Sequence, residues 1–310
     1  METSFKSILL PINGSLQSKI AQEMTLYLSK LFDSQVTVMH VVSNEPLSLP
    51  GRVYLPTENY APISNATGQF PRALSLPKTR EYPYSEEVVK EVIDEYNTKE
   101  QSLLDEAVAF FAQEGITAKR KLVEVKDIAE NVISESEIGK YDLIIMDNGG
   151  SEEKDDLSLG KVSAKVSSSA KIPIMIVRNK REINKVLVPV DGSAKDEKAL
   201  LNAKMIGNAT GAKIVLLHVQ EKSPLKLKPE IKAVGLQILN HASELLEGLQ
   251  FEQRLISGDP ADAILQASNQ EDIDFIIMNS GKPEGLRAHL LGSVSHRVLH
   301  KATVPIMLVK

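Results

Sequence analysis

Lys6-Ser-Ile-Leu-Leu-Pro-Ile-Asn-Gly-Ser15 and Asn184-Lys-Val-Leu-Val-Pro-Val-Asp-Gly-Ser193 are one motif written twice. Each is an unbroken apolar run closed by a small polar turn, as expected of a parallel strand covered on both faces that then enters a helix. The two lie 178 residues apart, and Val36-Thr-Val-Met-His-Val41 matches Ile214-Val-Leu-Leu-His-Val219 at the same offset. Further along the offset shortens to 132. There Tyr141-Asp-Leu-Ile-Ile-Met146 matches Ile273-Asp-Phe-Ile-Ile-Met278, Gly160-Lys-Val-Ser163 matches Gly292-Ser-Val-Ser295, and Ile172-Pro-Ile-Met-Ile-Val177 matches Val304-Pro-Ile-Met-Leu-Val309. A register held over five separate segments means two tandem copies of one domain. The difference between 178 and 132 leaves the first copy 46 residues longer, inserted after Val42.

Within the second copy the periodicity alternates. Strands are expected at 186–190, 214–219, 251–256, 275–278 and 305–309, and helices between them, the long one at 227–248. Ser193 is the expected N-cap of the first helix. Ile231, Val234, Ile238, Leu239, Ala242 and Leu245 form the expected apolar stripe of the long one. Strand and helix in strict alternation predict an α/β fold with a parallel sheet and helices on both faces, in domains at 1–178 and 182–310. Residues 173–177 and 305–309 are short apolar strands that would otherwise be exposed edges, so the halves are expected to pair through them.

The insertion, about 43–84, holds seven of the fifteen prolines and four of the seven tyrosines. So much proline erases any helical or strand period. It reads either as a surface loop or as an arm ordered over a pocket or a partner chain.

Composition narrows the classes. The 310 residues carry 36 basic and 41 acidic side chains, a net −5, which argues against a nucleic-acid partner. The absence of cysteine removes disulfides, thiolate metal sites and cysteine nucleophiles. No apolar stretch is long enough to span a membrane, and the N-terminus lacks a signal-peptide pattern, so a cytoplasmic protein is expected. His296 and His300 stand at i, i+4 but lack a third ligand nearby, so no metal site is expected. His40 and His218 read as packed strand-end residues.

The motifs resemble the universal stress protein family: Val-Pro-Val-Asp-Gly-Ser at 188–193, Leu-Leu-His-Val at 216–219, Gly-Asp-Pro-Ala at 258–261, Asp-Phe-Ile-Ile-Met at 274–278, Leu-Leu-Gly-Ser-Val-Ser at 290–295 and Val-Pro-Ile-Met-Leu-Val at 304–309. The resemblance implies two tandem doubly wound domains, each with an open five-stranded parallel sheet, joined as an internal pseudo-dimer, with a further homodimer or a protein partner open. It also implies a nucleotide site with the spacing glycine, two residues, glycine, nine residues, glycine, serine or threonine. Such glycines let backbone N–H groups approach phosphates, and the last pair opens a helix whose N-terminus attracts anions.

Carried onto the second copy, the pattern places Asn279 and Lys282 at the two missing glycines, keeps Gly292 and Ser293, and keeps Asp191 as the ribose or adenine acceptor. Pro189, Val219 and Val294 fall at the family's backbone contacts. Gly281 or Gly285 could replace a lost glycine through a shifted loop. Gly292-Ser293 and Asp191 also have a plain structural role as helix start and cap. Arg287, Arg297, Lys301 and Lys282 against Glu284 give the second copy a basic surround. The first copy has Asn13 for the aspartate, Asp147 for the first glycine, Lys161 for the hydroxyl and an acidic run at 152–156. Phosphate is repelled there. The expectation is a non-enzymatic binding protein that takes ATP, ADP or AMP weakly, no better than about micromolar, in the second domain only. The alternatives are a nucleotide-hydrolysing or adenylyl-transferring enzyme and a phosphorylation switch of receiver type. The first would need a convergent catalytic set, the second an acidic cluster at the strand ends, and neither is recognisable, so no ATP turnover is expected.

Overall fold

The computed structural model describes residues 4–43, 86–125, 127–149, 159–179, 182–220, 229–270, 272–281 and 291–310. The arm from residue 44 onward, the acidic run at 152–156 and Lys282 lie outside the described residues, as do Glu284, Gly285 and Arg287.

The first half runs β1 (Ser7–Ile12), α1 (Leu16–Phe32), β2 (Gln35–Ser43), α2 (Glu86–Gln113), β3 (Ala118–Val125), α3 (Ile128–Ile138), β4 (Leu143–Asp147), α4 (Lys161–Ser169), β5 (Ile174–Val177). The second repeats it as β6 (Lys185–Pro189), α5 (Asp196–Thr210), β7 (Lys213–Gln220), α6 (Pro229–Glu244), β8 (Phe251–Ser257), α7 (Pro260–Gln270), β9 (Phe275–Asn279), α8 (Ser293–Lys301), β10 (Ile306–Val309). The strands form one ten-stranded sheet in the order β3-β2-β1-β4-β5-β10-β9-β6-β7-β8. Within each half the pairing is parallel, and β5 meets β10 antiparallel. The internal pseudo-dimer expected from the two apolar closing strands is therefore present.

Met175 pairs with Met307, its counterpart in the repeat, so the pseudo-two-fold axis passes through that pair. Around it the contacts are reciprocal. Arg178 donates through Nη2 to Leu299 O near the end of α8, and Lys310 Nζ donates to Ser167 O of α4 at 2.5 Å. Each cation thus meets the carbonyl end of the other half's helix, where its charge is favoured.

Alternate strand residues feed two cores. One lies against α1, α2, α5 and α6 and includes Leu10, Phe111, Val188, Phe275 and Met307; the other lies against α3, α4, α7 and α8 and includes Leu9, Ile144, Leu187, Ile276 and Ile306. Both run across the two halves, so burial on each face also holds the halves together.

Two local expectations are corrected. Ser15 caps α1, accepting from Ser18 N–H at 3.0 Å, but its counterpart Ser193 caps nothing. Helix α5 starts only at Asp196, and the Ser193 N–H donates to Asp191 Oδ1 at 2.8 Å. The buried Asp196 carboxylate accepts the Asp191 and Gly192 N–H groups, which keeps that turn out of the helix. In α6, Val234 is 54% exposed and Gly235 takes the place against the sheet. A Cβ on Gly235 would come within 2.7 Å of Gln220 Nε2 and Leu255 Cδ1, so a larger residue there would have to displace both side-chain ends.

Candidate functional site

At the carboxyl ends of β6, β7 and β9 the strands diverge and leave a cavity of about 390 Å3. This is where open α/β sheets place their ligands. Its walls are apolar: Val219, Pro260, Ile264, Met278 and Val294. Asp191, exposed, stands on the turn after β6, and Ser293, exposed, opens α8. Pro189, Asn279 and Gly292 complete the set, so seven of the eight expected site residues surround one space. The eighth, Lys282, lies outside the described residues.

The start of α8 is built for close approach. Gly281 has φ +61°, the left-handed region, and Gly292 packs directly on it. The Gly292 N–H donates to Ser280 O at 2.9 Å. The helical ladder begins with His296 N–H to Gly292 O, and no side chain caps the helix, so the N–H groups of Ser293, Val294 and Ser295 head it. Gly281, one of the two glycines considered as substitutes, thus makes a left-handed turn here, while Gly285 lies outside the described residues. Asn279 fills the family's glycine position differently: its Oδ1 accepts from Gly281 N–H at 2.9 Å, and its amide donates to Asp196 Oδ1 at 3.1 Å.

Asp196 is 5% exposed. Burial, and next the charge of Asp191, push its carboxyl up to about 6, against the pull of its N–H donors. No motif marks this residue. Its only signal is that Asp196 aligns with Ser18 in the repeat, a charge where the other copy has a hydroxyl.

The basic surround is also revised. Arg297 binds Asp259 through both carboxylate oxygens, at 2.8 and 2.9 Å, and Asp262 at 2.6 Å. Lys165 repeats this clamp in the first half with Asp127 and Glu130, each at 2.8 Å. Arg297 is thus committed to bracing α8 on α7. Lys301 ends α8, at the opposite pole from the cavity.

The first half has a matching cavity of about 340 Å3, lined by Ile12, Asn13, Val41, Met146, Lys161 and Val162 among others. The acid and the amide are exchanged there. Asn13 Oδ1 accepts from Ser15 N–H at 3.0 Å, as Asp191 does from Ser193, while Asp147 takes the role of Asn279 and accepts from Gly149 N–H at 2.7 Å. Asp147 is 5% exposed, and burial raises its pKa. A carboxyl raised in the folded state contributes stability that is full below its unfolded value and lost as pH rises through the folded one. Asp147→Asn should therefore raise the melting temperature most near pH 8, with the gain shrinking toward pH 4. Thermal denaturation of both proteins across that range checks this; a gain that grows on acidification contradicts it.

His40 is closed off: its Nδ1 donates to Ile12 O at 2.9 Å and Nε2 meets Glu100. The His218 Nδ1 donates to Val190 O at 2.8 Å. His296 and His300 stack with ring centroids 4.4 Å apart, and among the described residues no group of three His, Asp or Glu side chains could hold a metal. No described helix is long and apolar enough to cross a membrane.

Known proteins carry the same organisation. The model of the universal stress protein family matches residues 73–178 and again 182–310. A universal stress protein of Bacillus subtilis, YxiE, is 31% identical over 146 residues, covering 41% of this chain and 99% of its own. One from Mycolicibacterium smegmatis is 23% identical over 324 residues, 98% of this chain and 96% of its own. The crystal structure of a universal stress protein from Archaeoglobus fulgidus superposes with a TM-score of 0.67 at 22% identity, over 99% of this chain and 98% of that one, and so shares the fold. With two family matches that together span most of its length, the chain belongs to the universal stress protein family.

Proposed function

We propose that this is a non-enzymatic universal stress protein whose second-half cavity takes an adenine nucleotide, the domains being 1–178 and 182–310. The observation that carries the reading is the pairing, across one apolar slot, of an exposed acceptor, Asp191, with the uncapped N-terminus of α8 at Gly292-Ser293. The slot suits a flat base, the carboxylate suits donors on base or ribose, and the helix start suits phosphate. The first cavity has a different lining: its acid, Asp147, is buried, the exposed turn carries the neutral Asn13, and Lys161 stands where the second half offers a hydroxyl.

Binding without turnover is favoured by the lining. Among its described residues the ionisable ones are Asp191 and His218, and the latter's Nδ1 is occupied by Val190 O. Among the described residues, a lone acceptor without a partnered base favours binding over transfer.

Calorimetric titration of the full chain with ATP tests this. One site per chain is expected, with Kd no tighter than about micromolar, roughly −8 kcal/mol. Asp191→Ala and Ser293→Ala should each weaken binding, Lys161→Ala should not, and ATP hydrolysis should stay at background. Binding that survives both second-half substitutions rejects the contacts. Hydrolysis lost in Asp191→Ala would make the protein an enzyme.

A further inference from the structure

Both walls of the second cavity hang on one side chain that does not itself line it. Asp196 Oδ2 accepts from Asp191 N–H at 2.9 Å and from Gly192 N–H at 2.7 Å, which holds the wall carrying the Asp191 carboxylate. Its Oδ1 accepts from Asn279 Nδ2 at 3.1 Å, and Asn279 in turn accepts from Gly281 N–H, which holds the wall packed on Gly292. The two turns are far apart in sequence. In the first half the two turns are joined loosely, and by two different residues. Ser18 Oγ meets Asn13 N–H at 3.4 Å, and Ser15 Oγ reaches Asp147 at 3.5 Å.

We propose that Asp196 is a positioning residue that ties the two walls of this cavity together, so that ligand affinity depends on its being ionised. All three of its partners are donors, so the carboxylate, an acceptor at both oxygens, holds them most strongly. Protonation turns one oxygen into a hydroxyl, a donor and a weaker acceptor, and so loosens a wall contact. The charged group across the turn is Asp191; β9 presents only the neutral Asn279, α6 presents Ile238 to Gly192, and Lys195 just before α5 and Glu197 on it are exposed. With its carboxyl pushed up to about 6, the tie is made at pH 7.5 and loosened in mild acid.

Two readouts on the full-length chain test the proposal. The first needs no ligand. In a 15N-labelled protein titrated from pH 8 to 4.5, the amide signals of Gly192 and Gly281 should move with one shared midpoint. Asp196→Asn should abolish the movement at both, while Gly149 of the first half is unchanged. Independent midpoints, or a Gly281 titration that persists in Asp196→Asn, overturns the tie.

The second readout rests on the nucleotide reading above. ATP affinity of the wild type, relative to Asp196→Asn, should fall below pH 6 by at most about tenfold per pH unit, one proton's worth. The ratio cancels the protonation of ATP itself. A flat ratio overturns the dependence on ionisation. If ATP binds at no pH, the nucleotide reading fails, and the amide titration alone decides whether Asp196 couples the walls.

Discussion

Met307→Asp is expected to split the chain into two halves that no longer hold each other. Met307 is fully buried, sits in register with Met175 on the pseudo-two-fold axis, and belongs to a core that crosses from one half to the other. A carboxylate there would sit among apolar side chains away from water, and such unpaired buried charges cost about 3–5 kcal/mol. Met307→Leu keeps the volume and should cost less than about 1.5 kcal/mol. Urea denaturation measures the difference. A protease site placed at residues 180–181 gives a second measure. After cleavage the wild-type halves should still elute together, because strand pairing and both cores bridge them, whereas the cleaved Met307→Asp halves should separate. Wild-type halves that part on cleavage would show that the covalent linker, not the β5–β10 junction, holds the pair.

Gly292→Ala should damage the cavity more than any other single methyl added to its walls. The new Cβ would lie 2.5 Å from Gly281 O and 3.0 Å from Gly281 C, and these are backbone atoms that cannot rotate away. The start of α8 and the turn after β9 must therefore separate. Overpacking of this kind costs about 1–3 kcal/mol. Because both segments form the phosphate end of the proposed site, ATP affinity should fall at least about tenfold, roughly 1.4 kcal/mol. Gly258→Ala is the control: a Cβ there meets nothing within 4 Å, although Gly258 lies just before the Pro260 wall. Thermal denaturation and calorimetry on the two variants make the comparison. Equal behaviour of Gly292→Ala and Gly258→Ala would mean that close packing of the two glycines does not shape the site.

The sequence alone carries the tandem repeat, the order of strands and helices, and the pairing of the two closing strands. These follow from local facts: which residues are apolar, at what period, and which strands would be left as bare edges. It also gathered most of the residues around the second cavity, because strand ends converge there in any open α/β sheet. The remaining features were set by folding. That Val234 would face solvent and Gly235 the sheet depended on how closely α6 approaches Gln220 and Leu255. That Arg297 would serve Asp259 and Asp262, and not a phosphate, depended on the packing of α8 on α7. That Ser193 would lose its cap to Asp196 depended on an amide from Asn279, 83 residues away, arriving beside it. Burial period is written in neighbouring residues, whereas the choice of a hydrogen-bond or charge partner is settled by distances of about 3 Å between segments that only folding brings together.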